Sequence, residues 1–214
     1  MKFIILGLIL FVGSSLYGQN APENYVWNYN SLAGNLGEKT QLVFSEKLHF
    51  NIAETLLDYK QTDIILYHDF TKNVTLGLSL RNANSYKGDS WISEITPQFY
   101  AEYTAKLKDI EIKFSNRFDY RNFDDGSKQT RYRNKLTFVS PVSLMKFGLR
   151  PYIAEEMFVK LNGGGFYNYR FFGGIYLFDI RFLEINLFYC YNRFEQTGTW
   201  TYQNVGGIYL NFNI

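Results

Sequence analysis

The chain has 214 residues, a formal net charge of +2, one cysteine and 19 % aromatic residues. The lone cysteine, Cys190, excludes an internal disulfide, and beyond the amino terminus no run of about 18 apolar residues exists to cross a membrane as a helix. The small net charge argues neither for nor against a charged partner, and no nucleic-acid partner is expected.

At the amino terminus, Met1 and Lys2 precede an apolar run over residues 3–12, then the small residues Gly13, Ser14 and Ser15. A basic start, a short apolar segment and small residues before a polar stretch make residues 1–18 a secretory signal peptide, too short to span as a helix. Residues 19–214 are expected to form one domain, and the pattern inside it is strand after strand. Residues 25–36 are a first candidate. Over 41–51, Leu42, Phe44, Leu48 and Phe50 share one face and Gln41, Ser45, Lys47 and His49 the other, while Glu46 interrupts the apolar face and predicts either a bulge or a different facing there. Over 73–81, Val74, Leu76, Leu78 and Leu80 alternate with Thr75, Gly77, Ser79 and Arg81. Over 94–106, Ile95, Pro97, Phe99, Ala101, Tyr103 and Ala105 alternate with Glu94, Thr96, Gln98, Tyr100, Glu102 and Thr104. Over 110–121, Ile112, Phe114, Phe118 and Tyr120 oppose Glu111, Lys113, Ser115, Arg117 and Asp119. The next strand sets Tyr132, Leu136 and Phe138 against Arg131, Arg133, Lys135 and Thr137, and further strands follow at 145–158, 166–177 and 182–193. The last, 204–214, places Ile208, Leu210, Phe212 and Ile214 opposite Tyr209, Asn211 and Asn213.

Alternation of this length explains the composition. A strand with lipid on one side and a polar lumen on the other averages to neutral hydropathy, here -0.22, although its outer face is fully apolar. The expected fold is therefore all-β, an antiparallel up-and-down transmembrane barrel of about 10 strands, with about 12 as the alternative. Gly207, Leu210 and Phe212 fit the glycine, apolar and aromatic spacing of the terminal signal by which bacterial outer-membrane barrels engage their assembly machinery, so that machinery and outer-membrane lipid are the expected partners. The expected location is the outer membrane of a Gram-negative bacterium, with a loop-mediated protein partner left open.

Short connections are expected on the periplasmic side, at 71–72, 107–109, 141–144 and 178–179, and longer ones outside, at 52–61, 83–90, 124–129, 161–165 and 195–199. On this count residues 25–36 are an eleventh strand, which breaks the even number usual for such barrels, and the segment is expected to lie partly outside the ladder.

The inward faces collect charges of both signs, and the candidate cluster is Arg117, Asp119, Arg131, Arg133, Arg150, Glu156 and Arg170. Charges in a narrow, partly dehydrated interior must pair or be hydrated, so the first reading is a salt-bridged plug; a small anion or a lipid headgroup phosphate on the arginines is the second. His49 and His68 fall at opposite ends of their strands and cannot share one site, and Ser45 lies too far along its strand from His49 for direct contact. Cys190 reads as a small packing residue. No catalytic group, metal site or cofactor is expected.

Trp27, Arg117, the run Arg131-Tyr132-Arg133, Glu156 followed by Phe158, Arg170 followed by Gly173, Gly174 and Tyr176, and a tyrosine-rich penultimate strand together resemble the outer-membrane barrels of domain-of-unknown-function family 2490. The resemblance implies the barrel and no activity. Three functional classes stay open: a structural or binding barrel with a salt-bridged lumen, a lipid-modifying or proteolytic enzyme, and a narrow channel for small solutes.

Overall fold

The computed structural model of the chain describes residues 23–140, 149–180, 182–196 and 198–214, the side chains of 178–180 excepted. The expected signal peptide, 1–18, and the expected turn at 141–144 lie outside the described residues. Eleven strands follow one another: β1 (Glu23–Asn35), β2 (Thr40–Asn51), β3 (Leu56–Asp69), β4 (Val74–Lys87), β5 (Ser90–Leu107), β6 (Ile110–Phe123), β7 (Lys128–Val139), β8 (Arg150–Lys160), β9 (Gly165–Ile180), β10 (Leu183–Gln196) and β11 (Thr199–Asn213). Each pairs with its chain neighbours, and β1 pairs with β11 to close a barrel.

Among the described residues the number is eleven, within the expected range, and all but Leu36 of residues 25–36 lie inside the ladder. β1 runs antiparallel to β2 from Tyr25↔Asn51 to Asn35↔Gln41, and parallel to β11 from Glu23↔Gln203 to Ala33↔Asn213. A meander alternates direction at every strand, so closing an odd number forces one parallel pair, and that pair is the seam. The seam is satisfied to its end, where the Ile214 amide donates to the Ala33 carbonyl at 2.9 Å. An unpaired β11 would leave a row of bare peptide groups along an open sheet edge, which is costlier than a parallel pairing. A consequence is that β1 begins at one rim and β11 ends at the other. We call the rim where β1 begins, and where β2–β3, β4–β5, β6–β7, β8–β9 and β10–β11 are joined, the upper rim; the other is the lower.

The expected sorting of connections by length does not hold. β3 starts at Leu56 and β4 runs to Lys87, so the long loops at 52–61 and 83–90 shrink to residues 52–55 and 88–89. At the lower rim the β1–β2 and β3–β4 connections, 36–39 and 70–73, match the former and 108–109 the latter. Gly88 and Asp89 have φ of 47° and 69°, the left-handed pair of a type I′ hairpin whose twist suits the flanking strands. The turn expected at 178–179 is likewise strand, because β9 continues to Ile180.

β3 is the strand the alternation concealed. Ile64, Ile65 and Leu66 form an unbroken apolar run, yet Ile64 and Leu66 face outward while Ile65 is buried inside with Ala33, Val43 and Tyr100. A second, larger cluster lines the opposite wall, with Trp27, Tyr29, Tyr152, Phe172, Phe188, Cys190 and Val205 at its centre. Its rings are accommodated by glycines across the ladder. A Cβ on Gly174 would sit 2.4 Å from Tyr152 Cε1, so the tyrosine lies flat on bare backbone. The outside carries the apolar band: Phe44, Leu78, Leu80, Ile95, Phe118, Ile153 and Leu187 are all exposed.

Candidate lumenal binding site

Two cavities enter the barrel from its two ends, and they share no lining residue. The lower holds about 540 Å³ and is bounded by Asn35, Glu38, Thr40, Tyr67, Glu102 and Lys113. The upper holds about 360 Å³ and reaches from Asp58, Lys87 and Phe194 near the rim down to Trp27, Tyr29 and Arg117. Between them sits a chain of stacked groups. The Arg117 guanidinium carbon lies 5.5 Å from the Tyr100 ring centroid, and Tyr100 meets Tyr67 edge-on at 5.7 Å. Beside it, Tyr29 stacks on Tyr209 at 4.3 Å, and Phe188 packs against both at 5.8 and 5.0 Å.

Alternation puts the charges where the upper cavity is. On β6 and β7, Arg117, Asp119, Arg131 and Arg133 occupy alternate positions and face inward, and the register sets Arg117 beside Arg133 and Asp119 beside Arg131. Asp119, 1 % exposed, accepts from Arg131 Nε at 2.7 Å and from Arg117 Nη2 at 3.2 Å. Glu156, fully buried on β8, accepts from Arg133 and, at 3.4 Å, from Arg170 Nη1. Arg81 Nε donates to Asp63 at 2.8 Å, and Arg121 Nε to Glu94 at 2.7 Å. Burying carboxylates at this depth without such partners would cost several kcal/mol each, so the pairs are a condition of the fold.

The network is not neutral. Lys47, Arg81, Arg117, Arg121, Arg131, Arg133 and Arg170 line the cavity, while the carboxylates that answer them are Asp63, Glu94, Asp119 and Glu156. Seven cations face four anions, and Lys87 and Asp58 nearer the rim add one of each. Among the described residues, Lys47 has no carboxylate within ion-pair distance; its Nζ lies 4.6 Å over the Tyr29 ring.

An aromatic pillar rises beside the cations. Tyr59 stacks on His49 at 4.6 Å, His49 on Trp27 at 4.3 Å, and the Arg170 guanidinium carbon lies 4.9 Å from the Trp27 ring. The ring faces of His49 are thus taken up by packing. Five buried atoms of cavity-lining side chains have no hydrogen-bond partner among the described residues: Trp27 Nε1, His49 Nε2, Asp58 Oδ1, Asn168 Oδ1 and Arg117 Nε, the last an ion-pair neighbour of Asp119 Oδ1 at 2.7 Å.

Of the sequence-derived cluster, the structure brings together Arg117, Asp119, Arg131, Arg133, Glu156 and Arg170. Arg150 stands apart, over the Tyr176 ring at 5.4 Å and in the wall of neither cavity. Sequence reasoning passed over Asp63, because β3 hid its alternation, and Arg121, whose partner Glu94 comes from the neighbouring strand. His49 faces the lumen and His68 the outside, with His68 Nδ1 3.0 Å from Thr40 Oγ1. Ser45 does not approach His49 and instead donates to Asp63 at 3.2 Å. Cys190 is fully buried in the aromatic cluster. Glu46 does lie on the outer face, where Asn30 Nδ2 donates to it at 3.4 Å; no register shift occurs there, and the bulge falls at His49/Phe50 instead. Of the three residues expected to form an assembly signal, Leu210 and Phe212 face outward and Gly207 inward, opposite Phe188.

Residues 24–203 match a family model described as a protein of unknown function, DUF2490. No curated protein matches the chain.

Proposed function

We propose, for a chain that belongs to the DUF2490 family of proteins of unknown function, a binding role in the outer membrane: a barrel closed to through-passage that holds a ligand in its upper cavity. The observation that supports it is the separation of the two cavities by the Arg117–Tyr100–Tyr67 chain and the Tyr29–Tyr209–Phe188 cluster. A channel needs a continuous wet path, and between the two cavities these side chains occupy the interior. An apolar outer face over strands of 11 to 18 residues meets the roughly 9 to 11 residues that a crossing requires.

The test is electrical and biochemical. Purified protein in a planar bilayer should give no stepwise current, and the double variant Tyr67→Ala/Tyr100→Ala should conduct. The wild type should fractionate with outer membranes and migrate anomalously in unheated detergent gels. Unitary currents from the wild type would favour the channel reading, and recovery as a soluble monomer would remove the membrane from the argument.

A further inference from the structure

We propose that the upper cavity recognises a phosphorylated, hydroxyl-bearing ligand, in chemical class a sugar phosphate, free or carried on a lipid. This rests on the reading of the cavity as a dead-end pocket and adds what the pocket is built to take.

Charge is the first ground. Asp119 and Glu156 each serve two arginines, so the cavity's six arginines, Arg81, Arg117, Arg121, Arg131, Arg133 and Arg170, meet only four carboxylates among the described residues. Like charges confined in a poorly hydrated chamber repel, and an anion of two charges entering it removes most of the surplus.

Geometry is the second. The guanidinium carbons of Arg131, Arg133 and Arg170 lie 5.5, 5.3 and 4.7 Å from the centroid of one ring, Phe158. Three planar forks therefore converge on a single wall of the cavity. Arg133 turns Nε and Nη2 to Glu156; Arg170 turns Nε to Asn192, at 3.1 Å, and Nη1 to Glu156. A guanidinium has five N–H donors, so both retain donors for a ligand, and the fork matches phosphoryl oxygens two at a time.

The third ground is the set of unanswered polar atoms, which asks for more than phosphate. Arg170 Nε can only donate, so Asn192 Oδ1 is its acceptor, and Asn168 must present Nδ2 to that same oxygen at 3.2 Å. This fixes the Asn168 amide with Oδ1 turned away, on a side chain 8 % exposed, as an acceptor requiring a donor. The phosphoryl group of a phosphomonoester dianion has no donor to give; a sugar hydroxyl does. Trp27 Nε1, on a side chain 2 % exposed, is a donor requiring an acceptor. Oxyanion and hydroxyl within reach of one arginine describe a phosphorylated sugar.

The experiment uses the full-length folded barrel in detergent, with the loss of anomalous gel mobility on heating as the readout. Glucose 6-phosphate and micellar lipid A, a phosphorylated glucosamine disaccharide on acyl chains, are the two arms, each against sodium chloride at equal ionic strength. A saturable rise in midpoint in either arm supports the proposal and tells the free source from the lipid-borne one. Arg133→Gln and Arg170→Gln should each raise the half-saturating concentration at least tenfold, and Lys113→Gln, in the lower cavity, should not. Should the arginine variants fail to assemble, Lys47→Gln leaves every ion pair intact and should weaken binding in the same direction. Asn168→Val should abolish the preference for glucose 6-phosphate over inorganic phosphate. Midpoints in both arms indistinguishable from chloride would overturn the proposal, and equal response to inorganic phosphate and glucose 6-phosphate in the wild type would overturn its hydroxyl half. Wild-type bilayer current, recorded without phosphate, would separately strike at the closed lumen.

Discussion

Phe188 occupies the space that a side chain on Gly207 would need: its Cζ lies 2.1 Å from where a Cβ would stand. The two residues face each other across the β10–β11 ladder, and the ring is held by Tyr29, Phe172 and Tyr209. Gly207 is thus explained by lumenal packing, whatever part it has in assembly.

Gly207→Ala should therefore destabilise the barrel by about 1–3 kcal/mol, since the ring has nowhere to retreat. In a Phe188→Leu background the same change should cost less than half as much. Thermal midpoints around this double-mutant cycle decide the matter, and additive effects would mean that the contact is unimportant.

Removing residues 210–214 should abolish assembly. The deleted backbone pairs with Asn30, Ser31, Leu32 and Ala33 on one side and with Leu183, Glu184 and Ile185 on the other, so its loss opens the seam and bares two strand edges. Wild-type amounts of the truncated chain in the membrane fraction would show that closure does not depend on β11.

The ion network predicts an order of severity. Arg117→Ala leaves Asp119 still held by Arg131 and should cost about 1–3 kcal/mol. Asp119→Ala strands two arginines at once and should cost about 3–5 kcal/mol, less whatever water entering the cavity returns. Heat-induced loss of the folded gel band measures both. An arginine variant worse than the aspartate variant would contradict the shared-carboxylate arrangement.

His49→Ala removes the middle ring of the Tyr59–His49–Trp27 stack and should lower the midpoint, whereas His68→Ala, on the exposed face, should stay within about 0.5 kcal/mol of wild type. Lipids extracted from cells expressing either variant should match wild type by mass spectrometry. A lipid species present with wild type and missing with His49→Ala would make a histidine-dependent enzyme the leading reading.

Alternation in residues 73–81, 94–106 and 110–121 is enough to assign the barrel, because a period of two leaves no choice of which side chains face outward and which meet the lumen. The same alternation places Arg117, Asp119, Arg131, Arg133, Glu156 and Arg170 inside without reference to any contact. Pattern fails where it is degenerate: Ile64, Ile65 and Leu66 are apolar on both faces, so β3 and with it Asp63 stay hidden until β2 and β4 pair on either side. It also fails at closure. Whether residues 25–36 join the ladder depends on β11 finding them, 180 positions away as in the Ser31–Asn211 hydrogen bond, and no local periodicity encodes that. Arg150 carries the same inward signature as its neighbours, yet axial position along the strand sets it over Tyr176, outside the cationic cavity. The face a residue takes is a local property of the strand and can be read from the chain; its height in the barrel, and so its partners, follows from the register of all eleven strands together.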